Sequence, residues 1–106
     1  SLNCKKPVEI HWSKSDTGSH AVVACSTRRI GVDIELMKPR RFEAISRRYF
    51  REVTDDKEKF YHLWCQKEAY TKWKKGKIAH NLKADIDRCL IPLEGLPNDV
   101  VGYICY

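Results

Sequence analysis

The sequence lacks the patterns that mark membrane-spanning and zinc-knuckle proteins. No apolar run approaches the roughly 20 residues needed to cross a bilayer, and no secretory signal peptide is visible. Five cysteines occur, but none belongs to a C-x-x-C pair and their spacings are wide. A structural zinc site and a disulfide framework are therefore both unexpected. We expect a reducing, cytoplasmic location and no membrane association.

The chain has 106 residues, which fits a single domain spanning residues 1–106. A domain of this size has little room for a large enclosed cavity, so any site should be a surface cleft or a subunit boundary. The sequence begins with Ser1 rather than Met, which is compatible with missing sequence upstream. Its net charge of +6 favours acidic partners such as nucleic acid, phosphorylated metabolites or an acidic protein, although solubility alone also explains it.

The most informative stretch is IGVDIEL, residues 30–36. In a β-strand, successive side chains alternate between two faces. One face of this strand is apolar throughout, and the other carries Gly31, Asp33 and Glu35. Two carboxylates on one face fit either a half-buried strand with a wet outer face or a divalent-cation site, which needs oxygen ligands at fixed separation.

The flanking residues predict further strands. Residues 8–12 alternate weakly, residues 13–19 are rich in turn-forming residues, and residues 20–25 form a short apolar run. With the carboxylate strand they predict a three-stranded antiparallel meander. A final strand is expected over residues 100–106, after mixed turn and strand signals in residues 82–93.

Two helices are predicted after the carboxylate strand. Residues 42–50 have apolar side chains at helical spacing with arginines opposite. A longer helix runs from about Asp55 to Lys75 and is ended by Gly76. We therefore expect an α+β fold, in which an antiparallel sheet of about three to five strands packs one long and one short helix on a single face.

One stripe of the long helix begins aromatic and ends charged. It consists of Phe60, Trp64, Glu68 and Lys72. The aromatic pair fits a core, and the charged pair fits an ordinary surface ion pair. Glu68 nevertheless lies at the edge of that core, where it can present a third carboxylate to the strand, flanked by Lys67 and Lys72. Carboxylates flanked by lysines suit Mg²⁺ with substrate phosphates.

The strand and helix motifs together resemble the signatures of the 4′-phosphopantetheinyl transferase superfamily, G-[VI]-D-[VI]-E and W-x-x-K-E-[AS]-x-x-K. The first matches residues 31–35 and the second matches residues 64–72. The FYHLW run is similar to the surfactin-type (Sfp-type) branch, and the likeness extends from Lys6 to about Leu82. It covers only the second half of such a protein, and the chain has the size of holo-acyl-carrier-protein-synthase-type members.

The resemblance implies a reaction and a set of site residues. These enzymes transfer 4′-phosphopantetheine from coenzyme A to a serine of an acyl or peptidyl carrier protein, with Mg²⁺, and release 3′,5′-ADP. The matching positions imply Mg²⁺ ligands at Asp33, Glu35 and Glu68, and Glu68 is also the implied base. Lys72 is implied as a catalytic residue. The implied coenzyme A contacts are Lys6, Ser15, Asp16, Lys67 and Lys72.

Two departures from the family pattern bear on these implications. Asp16 stands where the family has a histidine that holds the 3′-phosphate of coenzyme A, and a carboxylate beside a phosphate is repulsive. Lys14 and His20 are the candidates to offset this repulsion. Surfactin-type members also contain two similar halves, so a complete site implies an upstream half or a homo-oligomer, a dimer or trimer. The alternative is a catalytically degenerate relative that acts as a binding or partner subunit.

A nucleic-acid enzyme is disfavoured, although net positive charge and three tryptophans are compatible with it. The residues after Glu35 do not provide the Glu-x-Lys spacing of a metal-dependent nuclease. We expect an acidic carrier protein as the partner and no nucleic acid. A basic run could dock that partner or be a solvated helix face; it comprises Lys38, Arg40, Arg41, Arg47, Arg48 and Arg51.

Overall fold

The computed structural model describes residues 8–106, and Lys6 lies outside the described residues. The described elements are β1 (His11–Thr17), β2 (His20–Ser26), β3 (Gly31–Leu36), α1 (Phe42–Tyr49), α2 (Lys57–Lys74), α3 (Ile78–Asn81), β4 (Leu90–Pro92) and β5 (Val100–Cys105). They form the expected α+β fold with antiparallel sheets. No described helix combines the length and the apolar character that crossing a membrane requires.

The strands form two sheets, so the predicted meander is wrong. β1 pairs with β2 in an antiparallel ribbon, whereas β3 belongs to a separate sheet with the order β3-β5-β4. β1 also extends over residues that their polar composition had marked as a loop. The positions of β2, β3 and β5 lie close to those predicted.

Side-chain hydroxyls join β1 to β3 where a backbone ladder was expected. Alternate residues of β1 face β3, and each accepts a hydrogen bond from a β3 amide. The bonds run from Val32 N to Ser13 Oγ at 3.1 Å, from Ile34 N to Ser15 Oγ at 3.0 Å and from Leu36 N to Thr17 Oγ1 at 2.9 Å. β5 pairs with the other edge of β3, so these three residues, the hydroxyl row, satisfy amides that would otherwise lack partners.

The long helix α2 covers one face of the β3-β5-β4 sheet. Asp56 caps its N-terminus, and Lys75 ends it in the left-handed conformation, with φ of 58°. Cys65 is fully buried between α2 and the sheet, where its thiol donates to the carbonyl oxygen of Asp33. The short helix α1 packs beside α2 through Phe42 and Phe60, whose ring centroids lie 5.0 Å apart.

Both faces of β3 are covered, so the wet outer face considered above does not exist. The carboxylate face lies against α2, and the approach is close. A Cβ atom on Gly31 would lie 2.3 Å from the carbonyl oxygen of Ala69 and 2.5 Å from the amide nitrogen of Trp73. The opposite face buries Val32 and Ile34, each 1% exposed. The two carboxylates therefore point toward α2 rather than into open solvent.

The cysteines of the described residues divide into two buried and two exposed thiols. Cys65 and Cys105 are fully buried, whereas Cys25 and Cys89 are exposed. Burial raises the pKa of the Cys65 thiol far above its ordinary value and that of Cys105 to about 11. Because the thiolate is the reactive form, the buried pair should be inert at neutral pH.

We expect a thiol reagent to modify Cys25 and Cys89 in the folded protein at neutral pH. Cys65 and Cys105 should react only after denaturant is added, because both their burial and their raised pKa suppress the thiolate. Peptide mass spectrometry after brief labelling measures each site separately. Equal labelling of Cys65 and Cys25 in the folded protein would contradict the packing of α2 on β3.

Candidate functional site

The three carboxylates predicted as metal ligands come together between β3 and α2. Asp33 and Glu35 project from β3, and Glu68 projects from α2 toward them. They line one open depression of about 270 Å³, which we call the carboxylate pocket. Its other lining residues are Lys14, Ser15, Asp16 and Lys72. The structure therefore brings six of the predicted site residues into one place.

Asp33 is the central residue of the carboxylate pocket, and its two oxygens differ. Oδ1 accepts hydrogen bonds from Ser15 Oγ and Lys72 Nζ, each at 3.2 Å. Oδ2 is buried and has no hydrogen-bond partner among the described residues. A buried carboxylate oxygen without a donor is costly. A hydrogen-bond donor or a cation beside Oδ2 would remove this cost.

Lys72 connects α2 to both strands that form the pocket. Its Nζ donates to the carbonyl oxygen of Lys14 at 3.1 Å as well as to Asp33. The Lys72 side chain is 32% exposed and sits on a flexible stem, whereas the Asp33 side chain is 5% exposed. Lys72 thus supplies positive charge beside Asp33 and retains the freedom to reach a bound phosphate.

Burial and the neighbouring carboxylates raise the pKa values of Glu35 and Glu68. Burial, followed by the neighbouring Asp33, raises the pKa of Glu35 to about 9. Burial and the charge of Asp33 also raise the pKa of Glu68, while Lys72 opposes both shifts. Such mutual repulsion is relieved when a cation lies between carboxylates.

The residues present fit a divalent cation, although their arrangement is not that of a formed metal site. Over residues 8–106, no three His, Cys, Asp or Glu side chains are grouped in a way that could hold a metal ion. The donors are nevertheless all carboxylate oxygens, and Asp33 Oδ2 is buried without a partner. An all-oxygen donor set suits Mg²⁺ better than zinc.

A larger cavity of about 480 Å³ lies on the other side of Glu35 and Glu68, which line both depressions. We call it the aromatic cavity. Its apolar lining consists of Leu36, Ile45, Phe60 and Trp64, and its polar lining includes Thr17, Lys38, Arg40 and Tyr61. Sequence reasoning missed this cavity because four separate elements, β1, β3, α1 and α2, form it together with the segment after β3. The aromatic half of the α2 stripe was the only available signal.

Lys67 lies apart from the carboxylate pocket. Its Nζ is 5.5 Å from the ring centroid of Phe50, and it lines a separate depression with Arg51 and Asp85. Burial, with a contribution from Arg51, lowers the pKa of Lys67. Successive residues of a helix are about 100° apart, which separates Lys67 from Glu68. Its coenzyme A contact stays a prediction.

The rim of the carboxylate pocket contains the residue that departs from the family pattern. Asp16 is exposed there, and Lys14 lines the same pocket, so Lys14 is placed to offset the charge of Asp16. The basic run is partly neutralised, since Arg47 pairs with Glu43 at 2.8 Å. Arg40 instead donates to the Tyr61 hydroxyl at 3.1 Å beside the aromatic cavity.

Comparison with known proteins identifies the family to which these motifs belong. The family profile of the 4′-phosphopantetheinyl transferase superfamily matches residues 29–94. A "4′-phosphopantetheinyl transferase" from Bacillus subtilis is 36% identical over 74 residues, and "4′-phosphopantetheinyl transferase Sfp" from Bacillus subtilis (strain 168) is 34% identical over 74 residues. Each alignment covers 60% of this chain and 33% of the relative, so the chain spans about a third of the length of the curated relatives it matches.

The profile match includes the whole of β3, α1 and α2, and with them both motifs identified in the sequence. It covers well over half of the chain, and the same elements carry the carboxylates of the pocket. The chain belongs to the 4′-phosphopantetheinyl transferase superfamily.

Proposed function

We propose that this chain acts in the Mg²⁺-dependent transfer of 4′-phosphopantetheine from coenzyme A to a serine of an acyl or peptidyl carrier protein. The observation that carries the proposal is the convergence of Asp33, Glu35, Glu68 and Lys72 on one pocket. Family membership and the similarity to two 4′-phosphopantetheinyl transferases support the same reaction. The second product is 3′,5′-ADP.

In the carboxylate pocket, the acidic residues are proposed to bind Mg²⁺ and the lysines are proposed to bind the phosphates directly. Asp33, through Oδ2, and the carboxylates of Glu35 and Glu68 are the proposed Mg²⁺ ligands. When bound, the ion neutralises charge on the pyrophosphate. Lys72 and Lys14 lie beside the carboxylates and are proposed to bind the phosphate oxygens of coenzyme A.

Glu68 is the proposed base for the acceptor serine. In the metal-free protein its pKa is raised by burial and by Asp33. With the cation bound, a Glu68 carboxylate oxygen that does not bind the ion would accept the serine proton. The serine hydroxyl loses its proton to Glu68 as the serine oxygen bonds to the phosphorus of the phosphopantetheine. The phosphoanhydride bond breaks, and 3′,5′-ADP leaves with the electron pair while Lys72 neutralises its charge.

The two depressions that meet at Glu35 and Glu68 suggest the directions of approach. In phosphoryl transfer, the attacking and leaving oxygens lie roughly in line on opposite sides of the phosphorus. The carboxylate pocket, with its lysines, suits the leaving nucleotide, so the acceptor serine approaches from the aromatic cavity. Lys38 and Arg40 in that cavity suit an acidic carrier protein, and the apolar lining suits an aliphatic side chain beside its serine.

We propose that the domain completes its site by pairing with a second unit, which is either an upstream half of a longer protein or a second copy of this chain in a homo-oligomer. The support is an exposed apolar surface along the first strand and its partner. Trp12 on β1 is 63% exposed and Val23 on β2 is 68% exposed, and Val8 and Ile10, which precede β1, are also exposed. Several large exposed apolar side chains in one part of a small domain are typical of an interaction site. This chain spans about a third of the length of its relatives, and a site that requires a further unit is consistent with that.

We expect transfer of a fluorescent coenzyme A analogue onto the serine of a purified apo carrier protein. The label should appear with Mg²⁺ and be absent when EDTA is added, because the carboxylates repel the pyrophosphate without a cation. Glu94→Gln changes an exposed carboxylate outside both depressions and should leave the rate within about twofold. Absence of transfer by an oligomeric preparation at millimolar coenzyme A would refute the proposal.

A catalytically degenerate binding subunit is the second candidate, and one observation favours it. Asp16 places an exposed carboxylate at the rim where the phosphates are proposed to bind. Calorimetry separates the candidates. Binding of the carrier protein without binding of coenzyme A, in the presence of Mg²⁺, would favour the degenerate subunit.

A further inference from the structure

One residue of the hydroxyl row contacts more than the backbone. Each member accepts a hydrogen bond from a β3 amide, and a hydroxyl that accepts still has its own proton to donate. Ser15 donates this proton to Asp33 Oδ1 at 3.2 Å. Among the described residues, Ser13 and Thr17 bind only the β3 backbone through their hydroxyls.

The Ser15 bond matters because nothing intrinsic to aspartate fixes the plane of its carboxylate. Rotation about the terminal bond of an aspartate side chain is soft, so hydrogen bonds set the orientation. Here both donors bind the same oxygen, Oδ1, and Oδ2 is left buried without a partner. Pinning Oδ1 therefore also fixes where Oδ2 points.

Ser15 and Lys72 are not equivalent anchors for Asp33. Ser15 is 8% exposed and is itself held by the amide of Ile34 at 3.0 Å. The Lys72 side chain is 32% exposed, and the proposed function requires it to move onto a phosphate. Ser15 is thus the more firmly held of the two donors to Oδ1, and we expect it to keep this bond when substrate is bound.

We infer that Ser15 is a positioning residue for Asp33, which holds Oδ1 so that Oδ2 alone faces the cation. The inference rests on the proposed function, because that function requires the bound cation. It differs from the coenzyme A contact predicted for Ser15 from the sequence, because the single hydroxyl proton is already given to Asp33.

Three variants separate positioning from packing. Ser15→Ala removes both hydrogen bonds of the hydroxyl, whereas Ser13→Ala removes only an amide acceptor and is the matched control. Ser15→Thr restores the hydroxyl. We expect Ser15→Ala to weaken Mn²⁺ binding about tenfold or more, measured by electron paramagnetic resonance, with Ser13→Ala and Ser15→Thr within about threefold of the wild type.

A second measurement uses the metal-free protein. The ¹³C signal of the Asp33 carboxyl carbon should shift and broaden in Ser15→Ala but not in Ser13→Ala, because only the former frees the carboxylate. If the alanine variant does not fold, Ser15→Cys takes its place in both measurements, because a thiol is only a weak hydrogen-bond donor. Equal losses of Mn²⁺ affinity in the two alanine variants, or an unchanged Asp33 signal in Ser15→Ala, would overturn the inference. A wild-type protein that binds no Mn²⁺ would instead refute the proposed function, and the carbon signal would still decide the role of Ser15.

Discussion

Alanine at position 31 should lower the free energy of unfolding by about 3 kcal/mol or more, measured by urea denaturation. The added Cβ would lie 2.3 Å from the carbonyl oxygen of Ala69 and 2.5 Å from the amide nitrogen of Trp73. Both are backbone atoms of α2, so neither can move aside without displacing the helix. Interiors are close-packed, and the displacement would open gaps along the whole contact between α2 and β3.

Gly102→Ala is the matched control, because Gly102 is also a buried glycine in a strand of the same sheet. A Cβ there would meet the ends of three side chains, Leu93, Ile34 and Leu96, at 2.8 to 2.9 Å. Side-chain ends adjust more easily than a helix backbone, so we expect a loss of about 1–2 kcal/mol. If Gly102→Ala lowered the free energy of unfolding more than Gly31→Ala, the close approach of α2 would not be the reason that position 31 requires glycine.

The close approach at Gly31 also builds the carboxylate pocket. Because β3 has no side chain at this position, α2 lies near enough for Lys72 to reach Asp33 at 3.2 Å and for Glu68 to line the same pocket. The glycine and the carboxylates of the first motif are therefore one structural unit. A folded Gly31→Ala protein should consequently bind Mn²⁺ more weakly as well.

Local periodicity predicted the parts of the site that lie on single elements. The carboxylates of β3 follow from alternation, and Glu68 and Lys72 follow from the helical stripe of α2. The pairing of β1 could not be predicted in this way, because the hydroxyls of Ser13 and Ser15 find their amide partners 19 residues away. The hydroxyl-bearing residues that bind the distant strand make β1 polar, and a polar composition of this kind is also typical of loops.

Adjacent motif residues also need not share a face, as Lys67 shows. The helix motif places Lys67 directly before Glu68, and family resemblance implied that both contact coenzyme A or its metal. In the structure the Lys67 ammonium lies over the ring of Phe50, on another side of α2 from the carboxylate pocket. Sequence order within a motif therefore gives residue identity but not the direction of each side chain.

Glu68→Gln should reduce transfer to the carrier protein by about 10²–10⁴-fold, the usual contribution of a general base, measured as the rate of fluorescent labelling. Glutamine has nearly the same shape but accepts no proton at neutral pH. Glu58→Gln, an exposed change on the same helix, should leave the rate close to that of the wild type. Transfer at an undiminished rate by Glu68→Gln would assign the base to another group.

The same substitution should not destabilise the metal-free protein, which distinguishes loss of the base from loss of the fold. Burial and Asp33 raise the pKa of Glu68 above the ordinary value of a glutamate, so the ionised form costs stability in the folded state as pH rises. Glutamine removes that cost. In EDTA, the melting temperature of Glu68→Gln should therefore match or exceed that of the wild type at neutral pH, and any excess should vanish as the pH falls below about 4.5.

Mg²⁺ should reverse this order, because the ion stabilises the wild type through a carboxylate that the variant lacks. Thermal unfolding of both proteins with and without Mg²⁺ measures the reversal. A Glu68→Gln protein that melts well below the wild type in EDTA would mean that Glu68 supports the fold rather than a cation. The expected pattern, a variant that is no less stable without metal and less responsive to metal, means that the folded protein holds the Glu68 carboxylate at a cost in stability that a bound cation offsets.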